Sequence, residues 1–185
     1  MGAMCVGYRE LCPTPACDPA YGSDVLDPSS NATLPAMQAV VDALVAASAD
    51  SVLHLGGDEV GDACWLASPA VRAWMAANNA TTGDDIYEYF VEKSNAMALA
   101  AGKSPMRWEE VWKHFGTALD PRTIVHAWLS SAALLDAANH GYRTVYSVND
   151  QAYYLDYLGV QWDSIVSTQP IYGRAPRPRA TYLPP

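Results

Sequence analysis

The sequence predicts an α/β protein built on a parallel sheet, and three observations carry that expectation. Short apolar runs alternate with stretches of helical periodicity at the spacing of βαβ units. The run Val52-Leu-His-Leu55 stops at Gly56-Gly57, and two carboxylates, Asp58 and Glu59, follow at once. Glycine just after a strand marks a bulge or a close backbone approach, so this pair aims the carboxylates at the strand's C-terminal mouth, where α/β barrels carry their catalytic groups.

Residues 8–32, rich in Pro, Asp, Ser and Gly, read as an irregular loop. A helix is expected from Pro35 to Ala49, capped by Asn31 or Thr33, because Met37, Val40, Val41, Leu44 and Val45 recur at helical spacing. Residues 51–57 form the first strand, with Val52, Leu53 and Leu55 buried on both faces. A second helix starts near Pro69 with Val71, Trp74 and Met75 on one face, and Asn78 to Gly83 breaks it. Asp84 or Asp85 is expected to cap a longer helix through Ala101, buried along Ile86, Phe90, Val91 and Ala98. Met106 to Val111 reads as the second strand and Thr123 to Trp128 as the third. Ser130 to Asn139 is an Ala/Leu-rich helix with Gly141 placed for its C-cap, and Arg143 to Val148 is the fourth strand. The tail from Arg174, with Pro176, Pro178, Pro184 and Pro185, reads as unpacked coil.

Composition excludes several classes of function. Half of the 185 residues are hydrophobic, enough for one sizeable core, yet no apolar run reaches the roughly 18 residues of a membrane span. A net charge of −9 argues against nucleic acid or an anionic membrane surface as partner. The opening Met1-Gly-Ala-Met-Cys-Val lacks the basic start and apolar core of a signal peptide. Four cysteines (Cys5, Cys12, Cys17, Cys64) and two acceptor sequons (Asn31-Ala-Thr33, Asn79-Ala-Thr81) nonetheless point to a secretory, lysosomal or extracellular setting. The cysteine spacings contain no CxxC, which argues against zinc. His54 with Asp58 and Glu59 lacks a second histidine at ligand spacing, so no metal is expected, and no organic cofactor either.

Several spaced words share one register: His54-Leu-Gly-Gly-Asp-Glu-Val60 with Cys64-Trp65, Arg107-Trp-Glu-Glu-Val111, Val125-His-Ala-Trp128, Ala152-Tyr-Tyr-Leu-Asp156 and Trp162. Together they resemble the signature of family 20 glycoside hydrolases, the β-N-acetylhexosaminidases, over about residues 10–170. The resemblance implies a partial (β/α)8 TIM barrel, about strands 4 to 7 of the catalytic domain, with residues 1–173 as that partial domain and 174–185 as the tail. The family's early substrate-binding arginine, its Pro-Gly-His element and its last strand have no counterpart here, which implies a piece of a longer enzyme.

The same resemblance implies the chemistry. Sequence neighbours straddle a sugar ring poorly, whereas ordinary glycosidases place two carboxyls about 5–9.5 Å apart across it. A substrate-assisted route suits them, in which the sugar's own 2-acetamido oxygen attacks the anomeric carbon. Glu59 would be the general acid/base and Asp58 the partner of the acetamido nitrogen. Trp108 and Trp128 would wall the acetamido pocket, Tyr154 would donate to the acetamido oxygen, and Asp156 would bind sugar hydroxyls. The family has a tryptophan where Tyr153 stands. His54 and Glu110 are expected in structural, supporting positions, with Glu109 and Glu110 backing Arg107 and the tryptophan wall. Isolated tryptophans are usually core, the reading applied to Trp74 and Trp112; Trp65 and Trp162 are left open. The resemblance pairs Cys17 with Cys64, while Cys5 and Cys12 have no counterpart and either pair or stay free. The expected partners are glycans ending in β-linked N-acetylglucosamine or N-acetylgalactosamine, with a homo- or hetero-dimer for the full-length form. The competing reading is a non-catalytic sugar-binding or structural fragment whose barrel is too incomplete to close the pocket.

Overall fold

The computed structural model describes residues 7–13 and 25–148. Four parallel strands lie side by side in chain order: β1 (Val52–His54), β2 (Ser104–Trp108), β3 (Ile124–Ala127) and β4 (Arg143–Tyr146). The register sets His54 beside Met106, Trp108 beside His126, and His126 beside Val145. The helices are α1 (Thr33–Ala47), α2 (Ala63–Ala67), α3 (Pro69–Ala77), α4 (Gly83–Ala100), α5 (Glu109–Phe115) and α6 (Ser131–Asn139). Parallel neighbours need a crossover, and here α4, α5 and α6 pack against β2, β3 and β4.

Alternation along the strands gives the sheet two unlike faces. Leu53, Pro105, Arg107, Val125 and Ala127 are buried beneath the helices, while Val52, Met106, Trp108 and His126 on the opposite face are half-buried and His54 is exposed. The first strand is therefore not buried on both faces; on the opposite face, among the described strand residues, Ile124 is the buried one. The main core lies between sheet and helices, around Val71, Ile86, Val91, Val111, Trp112 and Val125. Trp65 belongs to it, its indole donating to Leu26 O at 2.8 Å and stacking on Phe90. Trp112 is core as expected and donates to Asp136, whereas Trp74 is only half-buried.

Several boundaries differ from the sequence reading, each for a local reason. Helix α1 starts at Thr33, within the helix rather than before it; neither expected cap forms, because the Thr33 hydroxyl donates back to Asp27 O. Of its apolar positions only Val41 is buried, and Val40 and Leu44 are exposed. Helix α4 is capped by Thr82, not by Asp84 or Asp85; Thr82 and Asp85 form a reciprocal capping box. Asp85 also accepts both backbone N–H groups of Thr81 and Thr82, which with their hydroxyls hold its carboxyl down to about 2. Gly83 follows because a Cβ there would sit 2.1 Å from the Asp62 Cβ, where α2 begins. Strand β2 ends at Trp108, and Glu109 to Phe115 is helix; the expected strand through Val111 misplaced that turn. Ser68 and Ser130 cap α3 and α6 by accepting Val71 N–H and Ala133 N–H.

Candidate active site

At the mouth of β1 the chain turns through left-handed backbone at Gly56 (φ 68°) and Gly57 (φ 97°), and again at Glu59 (φ 49°). Glycine takes such angles at little cost, while a non-glycine residue there is strained. Gly57 is required for a second reason: a Cβ would stand 2.5 Å from the Val111 Cγ2.

Three successive carbonyls of this turn are captured. Arg107 Nη1 donates to Leu55 O at 2.9 Å, Trp108 N–H donates to Gly56 O at 3.2 Å, and the Tyr87 hydroxyl donates to Gly57 O. Burial pushes the Tyr87 phenol well above its ordinary pKa, so it stays a donor. Beyond this fixed turn, Asp58 and Glu59 reach solvent as exposed side chains.

Arg107 is 4% exposed. Its remaining donors go to Asn95 Oδ1 at 3.0 Å, Val91 O at 3.2 Å and the Ser94 hydroxyl, all on α4. Burial lowers its pKa to about 10, which leaves it charged at neutral pH. Glu109 and Glu110 do not support it as expected, because Arg107 points to the helix side of the sheet and they serve Trp128. Glu109 Oε2 accepts the backbone N–H groups of Trp128, Leu129 and Ser130 at 2.8, 2.8 and 3.1 Å. Glu110 accepts the Trp128 indole N–H at 3.0–3.1 Å.

On the open face Trp108 is the centre of an aromatic group. Its ring stacks on His126 with centroids 4.2 Å apart, lies 4.7 Å from His54 and meets Trp128 edge-on at 6.3 Å. The histidines form a chain whose proton positions follow from its first donor. Gly56 N–H donates to His54 Nδ1 at 3.1 Å, which puts the His54 proton on Nε2. That nitrogen lies 3.1 Å from His126 Nδ1, so His126 carries its proton on Nε2 and donates to the Ser147 hydroxyl at 2.8 Å. Although an edge of His54 meets solvent, burial lowers its pKa, with the charges of neighbouring His126 and Arg107 adding to the effect and Asp58 opposing it. Burial also lowers that of His126. Both imidazoles are favoured neutral.

The structure thus brings Asp58, Glu59, Trp108, Trp128, His54 and Glu110 to the C-terminal ends of three neighbouring strands. Tyr154, Asp156 and Trp162 lie outside the described residues, as do Cys5 and Cys17. Cys12 and Cys64 are each disulfide-bonded, so Cys12 is not a free thiol. Sequence reasoning missed Tyr87, Ser94 and Asn95; the signal for the last two was a pair of polar residues within the apolar stripe of α4, while Tyr87 gave none. Among the described residues no group of three His, Cys, Asp or Glu side chains is set to hold a metal, and no helix is long and apolar enough to cross a membrane.

The description "Glycosyl hydrolase family 20, catalytic domain" matches residues 11–176. Beta-hexosaminidase 1 of Arabidopsis thaliana is 34% identical over 167 residues, covering 90% of this chain and 30% of that protein. Beta-hexosaminidase subunit A1 of Dictyostelium discoideum is 32% identical over 155 residues, 82% of this chain and 28% of its own length. Among solved structures, a Flavobacterium johnsoniae chitobiase superposes with a TM-score of 0.64 at 26% identity, over 79% of this chain and 24% of that one. A β-N-acetylhexosaminidase from Bacteroides fragilis reaches 0.70 at 19% identity, over 85% and 33%, a likeness of fold. The chain spans less than a third of the length of these two relatives.

Proposed function

The chain belongs to glycoside hydrolase family 20, and on that premise we propose that it carries the catalytic carboxylates of an enzyme releasing terminal β-linked N-acetylglucosamine or N-acetylgalactosamine. In this reading its four strands are the fourth to seventh of a (β/α)8 barrel, residues 1–173 belong to that barrel and 174–185 are a tail. The observation that carries the reading is the turn at Gly56-Gly57, which presents two adjacent carboxylates at the mouth of β1, next to the strand that ends at Trp108 and the one that leads into Trp128.

Adjacent carboxylates on one loop serve one side of a sugar. Asp58 accepts the acetamido N–H and turns the acetamido oxygen towards the anomeric carbon, while Glu59 protonates the departing glycosidic oxygen. The acetamido oxygen displaces the leaving group and forms a cyclic oxazolinium ion, whose charge Asp58 offsets. Glu59, now a base, takes a proton from water as it opens the ring, and two inversions give net retention. Trp108 and Trp128 form apolar walls around the acetamido methyl. Tyr154 and Asp156 complete the site on the resemblance, as acetamido and hydroxyl ligands. The secretory or lysosomal setting, and a homo- or hetero-dimer of the full-length form, belong to the same proposal.

The 185-residue chain alone should exploit this site weakly, since among the described residues His54 is exposed and Trp108, Trp128 and His126 are only half-buried. The test is titration of a thiazoline mimic of the cyclic intermediate into this chain and into a version extended to full barrel length. Transition-state-like ligands bind at least about 10²-fold tighter than substrate, and such tightening is expected in the extended form. Equal affinity for the thiazoline and for N-acetylglucosamine in the extended form would contradict the proposal.

A further inference from the structure

Glu109 is wholly buried, yet it comes from the first position of α5 at the mouth of the sheet, beside the candidate site rather than deep in the core. Burying a carboxylate is costly unless it is paired and hydrogen-bonded. Here Oε2 collects three successive amides, those of Trp128, Leu129 and Ser130, in the turn between β3 and α6. Lys113 Nζ faces Oε1, charge against charge and off the angle of a hydrogen bond. Burial alone would raise the Glu109 pKa; Lys113 and the three amides outweigh it and hold the group ionised.

The neighbouring residue acts on the other end of the same tryptophan. Both carboxylate oxygens of Glu110 lie within 3.1 Å of the Trp128 indole nitrogen. One carboxylate therefore fixes the backbone from which Trp128 springs, and the next fixes the tip of its ring. Stabilising α6 would not require this, because Ser130 already caps that helix. We propose that Glu109 and Glu110 are positioning residues for Trp128 and so set the size of N-acyl group the enzyme accepts. The specificity half rests on the reading above, in which Trp128 walls the acetamido pocket.

A released indole no longer resists a longer acyl chain. One methylene in an apolar pocket is worth about 10–200-fold in discrimination, and the variants should forfeit about tenfold of it. Two readouts test the proposal separately. In this 185-residue chain, hydrogen exchange of the indole N–H should quicken in Glu110→Ala and recover in Glu110→Gln, whose carbonyl oxygen still accepts. Exchange of the Trp128, Leu129 and Ser130 amides should quicken in Glu109→Gln. In the form extended to full barrel length, the kcat/KM ratio for N-propionyl over N-acetyl glucosaminides should rise about tenfold in Glu110→Ala and return towards wild type in Glu110→Gln. Unchanged exchange in Glu110→Ala and Glu109→Gln would overturn the positioning role. Faster exchange with an unchanged acyl ratio would overturn the specificity role. If the extended wild type cleaved neither glucosaminide, the functional reading would fail, and exchange would still decide the hold on Trp128.

Discussion

The division of labour between two neighbouring carboxylates is the finest claim at the scale of single residues. Glu59→Gln should slow substrates with poor leaving groups most, since only those need its proton. Asp58→Asn should slow every substrate, because acetamido participation is lost whatever departs. Each loss should cost on the order of 10²–10³ in turnover, and a leaving-group series measures it; parallel responses in the two variants would contradict the division. The histidine pair makes a second claim, on pH. Both pKa values are lowered in the fold, so the unfolded chain takes up protons first as pH falls through about 6.5. Stability contributed by the neutral pair is thus present above that pH and is lost as pH drops towards the folded values. A His54→Asn/His126→Gln double variant should show a flatter stability profile between pH 7 and 5 in denaturant titrations. Asp58 and Glu59 stood out in the sequence because the words around them keep the register of the family signature; Gly-Gly-Asp-Glu by itself reads as a charged loop capping a strand. Tyr87 did not, since an aromatic on a helix face is core by default, and only the folded backbone brings its hydroxyl to Gly57 O.

At the scale of elements, the apolar runs located all four strands but ran past the C-terminal end of each, and β2 begins at Ser104, two residues before the expected Met106. β1 is three residues long, Val52–His54, because Gly56 and Gly57 take left-handed angles that end the ladder. β2 gives way to helix at Glu109, a change hydrophobicity could not reveal, as Trp108 and Val111 are apolar on both sides of it. The parallel order followed from the crossover helices; the caps did not, since Thr82, Asp84 and Asp85 are all plausible from composition. The choice matters to the site, because α4 carries Tyr87 against the β1 exit and Ser94 and Asn95 against Arg107 of β2. Thr82→Ala should cost about 1 kcal/mol by removing one half of the capping box. Thermal or denaturant unfolding measures the loss, and a Thr82→Ser variant should recover most of it.

For the whole molecule, the governing feature among the described residues is a sheet whose C-terminal mouth stands open around the exposed His54, with Val40 and Leu44 of α1 also exposed. A partial barrel, as the resemblance implies, leaves apolar surface uncovered; periodicity alone could not say which positions, because it marks only what a helix can bury. On the barrel reading, further strands and helices cover both surfaces, and a version extended to full barrel length should unfold more cooperatively than this one. The Cys17–Cys64 bridge proposed from the resemblance would tie the long entry loop to the rim near Glu59. It would contribute about 4 kcal/mol in the chain-entropy model; peptide mapping without reduction should recover the two cysteines linked, and a Cys64 joined elsewhere would contradict it. The central claim is that the enzyme's nucleophile belongs to its substrate. The most direct measurement is the extended protein's kcat/KM for an aryl β-N-acetylglucosaminide against the matching aryl β-glucoside. Rapid cleavage of the first with no measurable cleavage of the second is the predicted result, and comparable cleavage of both would contradict the account.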